Sequence, residues 1–239
     1  KNGTFIGTYP LKIALLGGST TSEIKDCLEL FLLNEGIRPV FYESAYGRFY
    51  EEALFDNIAL DTFNPDIVYI HTSNRNICEW PQISDNTENV EVKLQRTYDK
   101  FEQIWDSIFL RYNCIIIQNN MEMPFYRLMG NIEVSDYRGK INFITKINMK
   151  FNDYANRHEN FYINDINYIS AYYGLEKWED PFAWYMFKYC LSVEAIPVLS
   201  RNISLIVKSL YGKNKKAMVL DLDNTLWGGV IAEEGKDNI

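Results

Sequence analysis

Lys12-Ile13-Ala14-Leu15-Leu16-Gly17-Gly18-Ser19-Thr20-Thr21-Ser22 is a short apolar run that ends in two glycines and a cluster of hydroxyls. Beyond it, Ile24, Cys27, Leu28 and Phe31 recur at helical spacing. Ser22 stands where a helix cap is wanted, and Gly36 stands where a helix ends. An apolar strand, a glycine turn and an amphipathic helix in this order form the first half of a βαβ unit. Four further apolar runs repeat the theme: Arg38 to Glu43, Asp66 to His71, Cys114 to Gln118 and Phe161 to Asn164. Stretches of helical period separate some of them. Glu91 to Tyr112 places Val92, Leu94, Tyr98, Phe101, Trp105, Ile108 and Phe109 on one face, and Gly139 to Asn156 and Val193 to Tyr211 read the same way. The alternation predicts an α/β fold with a mostly parallel five-stranded sheet.

Ligands of an open parallel sheet bind where the carboxyl ends of the strands meet, because loops and helix N-termini converge there. Polar residues accumulate at those ends here: Gly18 and Ser19 after the first run, Ser44 and Gly47 after the second, His71 and Asn74 after the third, Asn119 and Asn120 after the fourth, and Asp165 after the fifth. They are the candidate binding residues. Ser19, at a strand-to-helix turn, is a candidate nucleophile, with the helix N-terminus, the Gly47 N–H and the Asn74 amide as oxyanion donors. The competing reading is a turn in which Ser19 and its neighbours cap the helix and the asparagines satisfy loop backbone.

This arrangement of Ser, Gly and Asn on successive blocks resembles the SGNH hydrolases over roughly the first 200 residues. The resemblance implies a three-layer α/β/α, flavodoxin-like domain. It also implies a histidine shortly before the last helix, where this chain has Phe187-Lys188-Tyr189-Cys190-Leu191-Ser192. A serine needs an adjacent base. The two histidines of the chain are His71, at a strand end within reach of such a site, and His158, which precedes the fifth run and is expected at the opposite edge.

A domain boundary is read at Tyr211 to Lys216, dividing residues 1–211 from residues 212–239. The lysines at 213, 215 and 216 read as a solvated linker. Ala217 to Leu220 then begins another apolar strand, which runs into Asp221-Leu222-Asp223-Asn224-Thr225-Leu226-Trp227-Gly228-Gly229. Two carboxylates two residues apart at the end of a buried strand cost desolvation energy unless a cation or partners compensate them, and magnesium suits them because it accepts one or two carboxylates and keeps several waters. The string resembles the first motif of the HAD superfamily, in particular the HAD-IIIC, FkbH-like branch. Ile117 to Pro124, Leu128 to Asn131, Tyr162 to Asn167 and Trp178 to Tyr185 resemble the region that precedes the phosphatase-type domain in that branch.

The resemblance implies that Asp221 is the phosphoryl acceptor and a Mg²⁺ ligand. Asp223 would be the general acid/base and a second contributor to the metal site, and Thr225 would hold the loop. It also implies a phosphorylated three-carbon or acyl substrate and an acyl carrier protein as partner, in polyketide or surface-polysaccharide assembly. The further residues of such a site, a second-motif Ser or Thr, a Lys and more acidic ligands, do not follow within residues 212–239. The expectation is therefore a first strand and loop alone, inactive in phosphoryl transfer and not binding Mg²⁺ tightly. Apolar on both faces, that strand is expected to pack on the first domain or on a second copy as a homodimer.

Composition narrows the field. A net charge of −8 argues against nucleic acid and anionic membranes as partners. Four cysteines without CxxC spacing argue against disulfides and zinc. No run reaches the roughly 20 apolar residues of a membrane span, and no secretory leader is read at the start, so the cytoplasm is the expected location. The abundant aromatics, dense from Tyr162 to Tyr189, are expected to pack in the core. Three functions stay open: a HAD-type enzyme with this domain binding its substrate or carrier, an SGNH-type esterase or acyltransferase using Ser19, and a non-catalytic interaction module.

Overall fold

The computed structural model describes residues 10–212 together with 220, 221, 225, 226 and 228. Five parallel strands form one sheet in the order β2-β1-β3-β4-β5: β1 Leu11–Gly17, β2 Pro39–Glu43, β3 Ile67–His71, β4 Ile115–Asn119 and β5 Phe161–Asn164. Between and after them run α1 Ser22–Asn34, α2 Phe49–Leu54, α3 Ile58–Phe63, α4 Thr87–Arg111, α5 Lys140–Ala155, α6 Ile166–Tyr173, α7 Leu175–Trp178, α8 Pro181–Phe187 and α9 Ile196–Leu210. Single 3-10 turns occur at Asn74–Asn76, Gly130–Val134 and Val193–Ala195.

Strand side chains alternate between the two faces, so each strand feeds two cores. Ala14, Leu16, Val68, Ile70 and Ile116 face α2 to α5, whereas Ile13, Leu15, Ile67, Tyr69 and Ile117 face α1, α6, α7 and α9. This is the three-layer α/β/α sandwich expected from the sequence. Because both faces are covered, the runs are apolar throughout, which is why they read clearly as strands.

The first of these cores is aromatic. In α4, Val90, Leu94, Tyr98, Phe101, Trp105 and Ile108 form a buried stripe, and the helix starts where the Asn86 side chain accepts the Asn89 N–H at 2.8 Å. Trp105 is fully buried, with Phe151, Tyr154 and Phe161 within 4.9 Å between ring centroids. Its indole N–H donates to Gln118 Oε1 at 2.9 Å, which removes the penalty of burying that polar group.

From Tyr162 to Tyr189 the expectation of core aromatics is corrected. Trp178 is buried there, but Tyr168, Tyr172, Phe182, Tyr185 and Phe187 are exposed. Tyr162, Tyr173 and Trp184 are half-buried against the core, whereas the exposed rings lie on the outer faces of α6 and of α8, a short helix that fully buries only Ala183. The expected strand at Ala217 to Leu220, its homodimer contact and Asp223 fall outside the described residues, apart from an exposed Leu220. The same is true of the linker lysines at 213, 215 and 216. Among the described residues, no helix is long and apolar enough to cross a membrane.

Candidate functional site

The order β2-β1-β3 reverses direction at β1, and that switch point opens a crevice between the ends of β1 and β3. Ser19 follows one strand and Ser73 and Asn74 follow the other. The turn after β1 is pinned on both sides: Gly17 N–H donates to Ser44 Oγ at 2.9 Å, Gly18 N–H to the His71 carbonyl at 2.8 Å, and Asn76 Nδ2 to the Gly18 carbonyl at 3.0 Å. A Cβ on Gly18 would sit 2.4 Å from Asn76 Nδ2, so only glycine lets the two loops close on each other.

Ser19 is 2% exposed; its hydroxyl meets no strict hydrogen-bond geometry among the described residues, and the neighbour it acts on is the Cys190 thiol. The group nearest in role to a base is Cys190, whose sulfur lies 3.2 Å from His71 Nε2. Burial pushes the Cys190 thiol up to about 12. The Glu122 carboxylate adds to that push, while the Ser19 and Ser73 hydroxyls and Arg75 oppose it. Cys190 is thus a protonated thiol at neutral pH and supplies no base to Ser19.

His71 enters this cluster through Cys190. Its Nδ1 faces Asn119 Nδ2 at 3.1 Å and the Tyr69 hydroxyl at 2.9 Å. Asn119 fixes the protons: its Oδ1 accepts from Asn164 Nδ2 at 2.7 Å, and its Nδ2 donates to the Thr72 carbonyl at 3.1 Å. The second hydrogen of that amide is buried and has His71 Nδ1 as its remaining acceptor. Hydrogen-bond counting therefore assigns the lone pair to Nδ1 and the proton to Nε2, which donates toward the sulfur. Burial also lowers the His71 pKa to about 4. The imidazole is neutral, with its basic nitrogen engaged away from Ser19.

The other candidate residues divide between this cluster and its surroundings. Asn74 donates its backbone N–H to Glu122 Oε2 at 3.1 Å and its side-chain amide to the Glu122 carbonyl at 3.2 Å. Gly47, with φ +71, lies in the exposed turn between β2 and α2. Asn120 and Asp165 form a pair at the end of β5: Asn120 Nδ2 donates to Asp165 Oδ1 at 2.7 Å, and Asp165 caps α6 through the Tyr168 N–H. His158 stacks on Tyr154 at the opposite edge of the sheet.

Four further residues complete the crevice: Ser73, Arg75, Glu122 and Glu179. Glu122 is 3% exposed, and burial pushes its carboxyl up to about 7. Arg75 pairs with Glu179 at 2.6 Å and lies over the Trp184 ring, 4.5 Å from its centroid. The signal for Glu122 was available in its setting, a carboxylate between two methionines just past a buried strand.

Of the motif proposed for the metal, Asp221 and Thr225 are exposed. Among the described residues no group of three or more His, Cys, Asp or Glu side chains is placed to hold a metal ion. Magnesium demands near-octahedral oxygen donors. Of the two carboxylates that would hold it, Asp221 is described and Asp223 lies outside the described residues.

The five-stranded parallel α/β/α sandwich has the fold of SGNH-hydrolase-like domains, and this chain places serine, asparagine and a thiol at its β1/β3 switch point. The description "FkbH, N-terminal domain" matches residues 12–208, and the chain belongs to the FkbH family through this domain. Among solved structures, the N-terminal part of a Bacteroides fragilis protein containing a phosphatase domain complexed with Mg superposes with a TM-score of 0.82 at 23% identity. That match covers 98% of this chain and 61% of the other, so the chain spans about three fifths of that structure. TesA superposes with a TM-score of 0.54 at 11% identity, covering 83% of this chain and 99% of that one. No curated protein sequence matches.

Proposed function

We propose that this domain binds, without chemistry of its own, the substrate or acyl carrier protein of a cytoplasmic HAD-type, magnesium-dependent phosphoryl-transfer protein of the FkbH-like kind. The observation that carries the binding role is Ser19: a hydroxyl in the position of a nucleophile, buried, and flanked by a protonated thiol and a neutral imidazole whose proton points at that thiol. Serine without a base is a poor nucleophile near neutral pH.

The phosphoryl-transfer role is supported by Asp221-x-Asp223-x-Thr225 and by the likeness to a longer structure that contains a phosphatase domain. Asp221 is the proposed phosphoryl acceptor, Asp223 the proposed acid/base, and a phosphorylated three-carbon or acyl group the proposed substrate. The test compares aryl phosphate hydrolysis, with Mg²⁺ present, by this chain and by the chain extended through a complete HAD domain. Activity confined to the extended protein and lost in Asp221→Asn is expected. Activity that survives Asp221→Asn would overturn the assignment.

A further inference from the structure

Arg75, Glu122, Glu179, Asn74 and Cys190 meet the apolar Met123, Leu175 and Trp178 around a cavity of about 10 Å³, room for a single water. Burying the charged part of that lining is costly for so little volume. Glu179 closes one side of it and begins a segment, residues 179–189, that is attached by the Trp184 ring packed on the core, by a Tyr189–Glu23 hydrogen bond and by three further polar contacts. Glu179 reaches Arg75 at 2.6 Å, Thr20 Oγ1 donates to the Phe187 carbonyl at 2.7 Å, and Thr20 N–H donates to the Lys188 carbonyl at 3.1 Å.

Within that segment, α8 buries Ala183 and half-buries Trp184 against the core, while Phe182, Tyr185, Met186 and Phe187 face solvent. On either side the chain is anchored by buried Trp178 and by buried Cys190 and Leu191. Gly174 at φ +104 and Lys188 at φ +61 mark the bends. Segments with few buried apolar contacts open at a small fraction of the global unfolding free energy.

We propose that residues 179–189 are a strap closing an anion-binding chamber, in which Glu179 occupies at Arg75 the place of a ligand's carboxylate or phosphate. Opening frees the Arg75 guanidinium, whose planar donors suit either anion. The inference rests on the binding role proposed above and names its ligand class.

The test is maleimide labelling of the chain carrying Cys27→Ser and Cys78→Ser, followed by mass spectrometry. Cys190 then reports the strap, and Cys114, buried at the start of β4, reports global unfolding. Cys190 is expected to label at least about tenfold faster than Cys114, and Glu179→Gln to speed Cys190 roughly tenfold more while leaving Cys114 unchanged. Inorganic phosphate or acetate should accelerate Cys190 saturably beyond sodium chloride of equal ionic strength, which controls for screening of the ion pair. In Arg75→Ala that acceleration should vanish, whereas in Glu179→Gln, which leaves Arg75 in place, it should persist.

Labelling of Cys190 in step with Cys114 would overturn the strap. Phosphate and acetate acting no differently from chloride would overturn the anion chamber. Neither result bears on whether Ser19 hydrolyses esters, so a failure here is separable from a failure of the binding role itself.

Discussion

The face of the sheet under α4 and α5 and the strap that crosses the strand ends are both rich in aromatics, yet they use them in opposite ways. Around Trp105 the rings interlock edge-to-face in a closed core. Along α8 they point outward except for Trp184, and the segment is held by that ring's packing on the core and under Arg75, one ion pair, two hydrogen bonds to Thr20 and a Tyr189–Glu23 hydrogen bond. Stability is thereby concentrated away from the switch point, and the cover of the switch point is left free to move.

The sharpest way to break this contrast is Trp105→Ala. Loss of a fully buried indole should destabilise the domain by about 3–5 kcal/mol, seen as a lower midpoint in urea. A loss below about 1 kcal/mol would mean that the α4 face is not the stabilising one.

Next in size is the pH dependence of Glu122. Its folded pKa of about 7 exceeds the 4.5 of an exposed glutamate. The folded state therefore keeps a proton that the unfolded state has released. Its contribution is fully favourable below pH 4.5 and is lost as pH rises to 7, amounting to about 3 kcal/mol. His71, lowered to about 4, works in the other direction, losing stability as pH falls from 6.5. Comparing the protein with its Glu122→Gln variant cancels the histidine: the advantage of the variant should grow from pH 4.5 to 7 and then level off. A constant difference across that window would contradict the shift.

Tyr69→Phe should cost about 1 kcal/mol, the loss of one buried hydroxyl shared between His71 and Asn119. Phe182→Ala on the strap should stay within about 0.5 kcal/mol in the same denaturation experiment. A larger loss there would make α8 part of the core.

This contrast was only half legible in the sequence. The strands were readable because burial on both faces left apolar runs with sharp polar ends, and Phe161–Asn164 was read to the residue. The period in α4 was equally plain, because Leu94, Tyr98, Phe101, Trp105 and Ile108 share one face. α6 to α8 were not readable: their outward aromatics break the rule that apolar residues mark the buried side. The polar strand ends were also visible, but their pairings were not. His71 and Cys190 are 119 positions apart, and no local pattern joins them.

The most direct test of the central claim, that Ser19 sits in a closed site without a base, is aryl ester hydrolysis by the purified chain and by its Ser19→Ala variant. Turnover at the buffer background for both proteins is the predicted result. Ester hydrolysis that disappears with Ser19→Ala would contradict it and would place a working hydrolase in this domain.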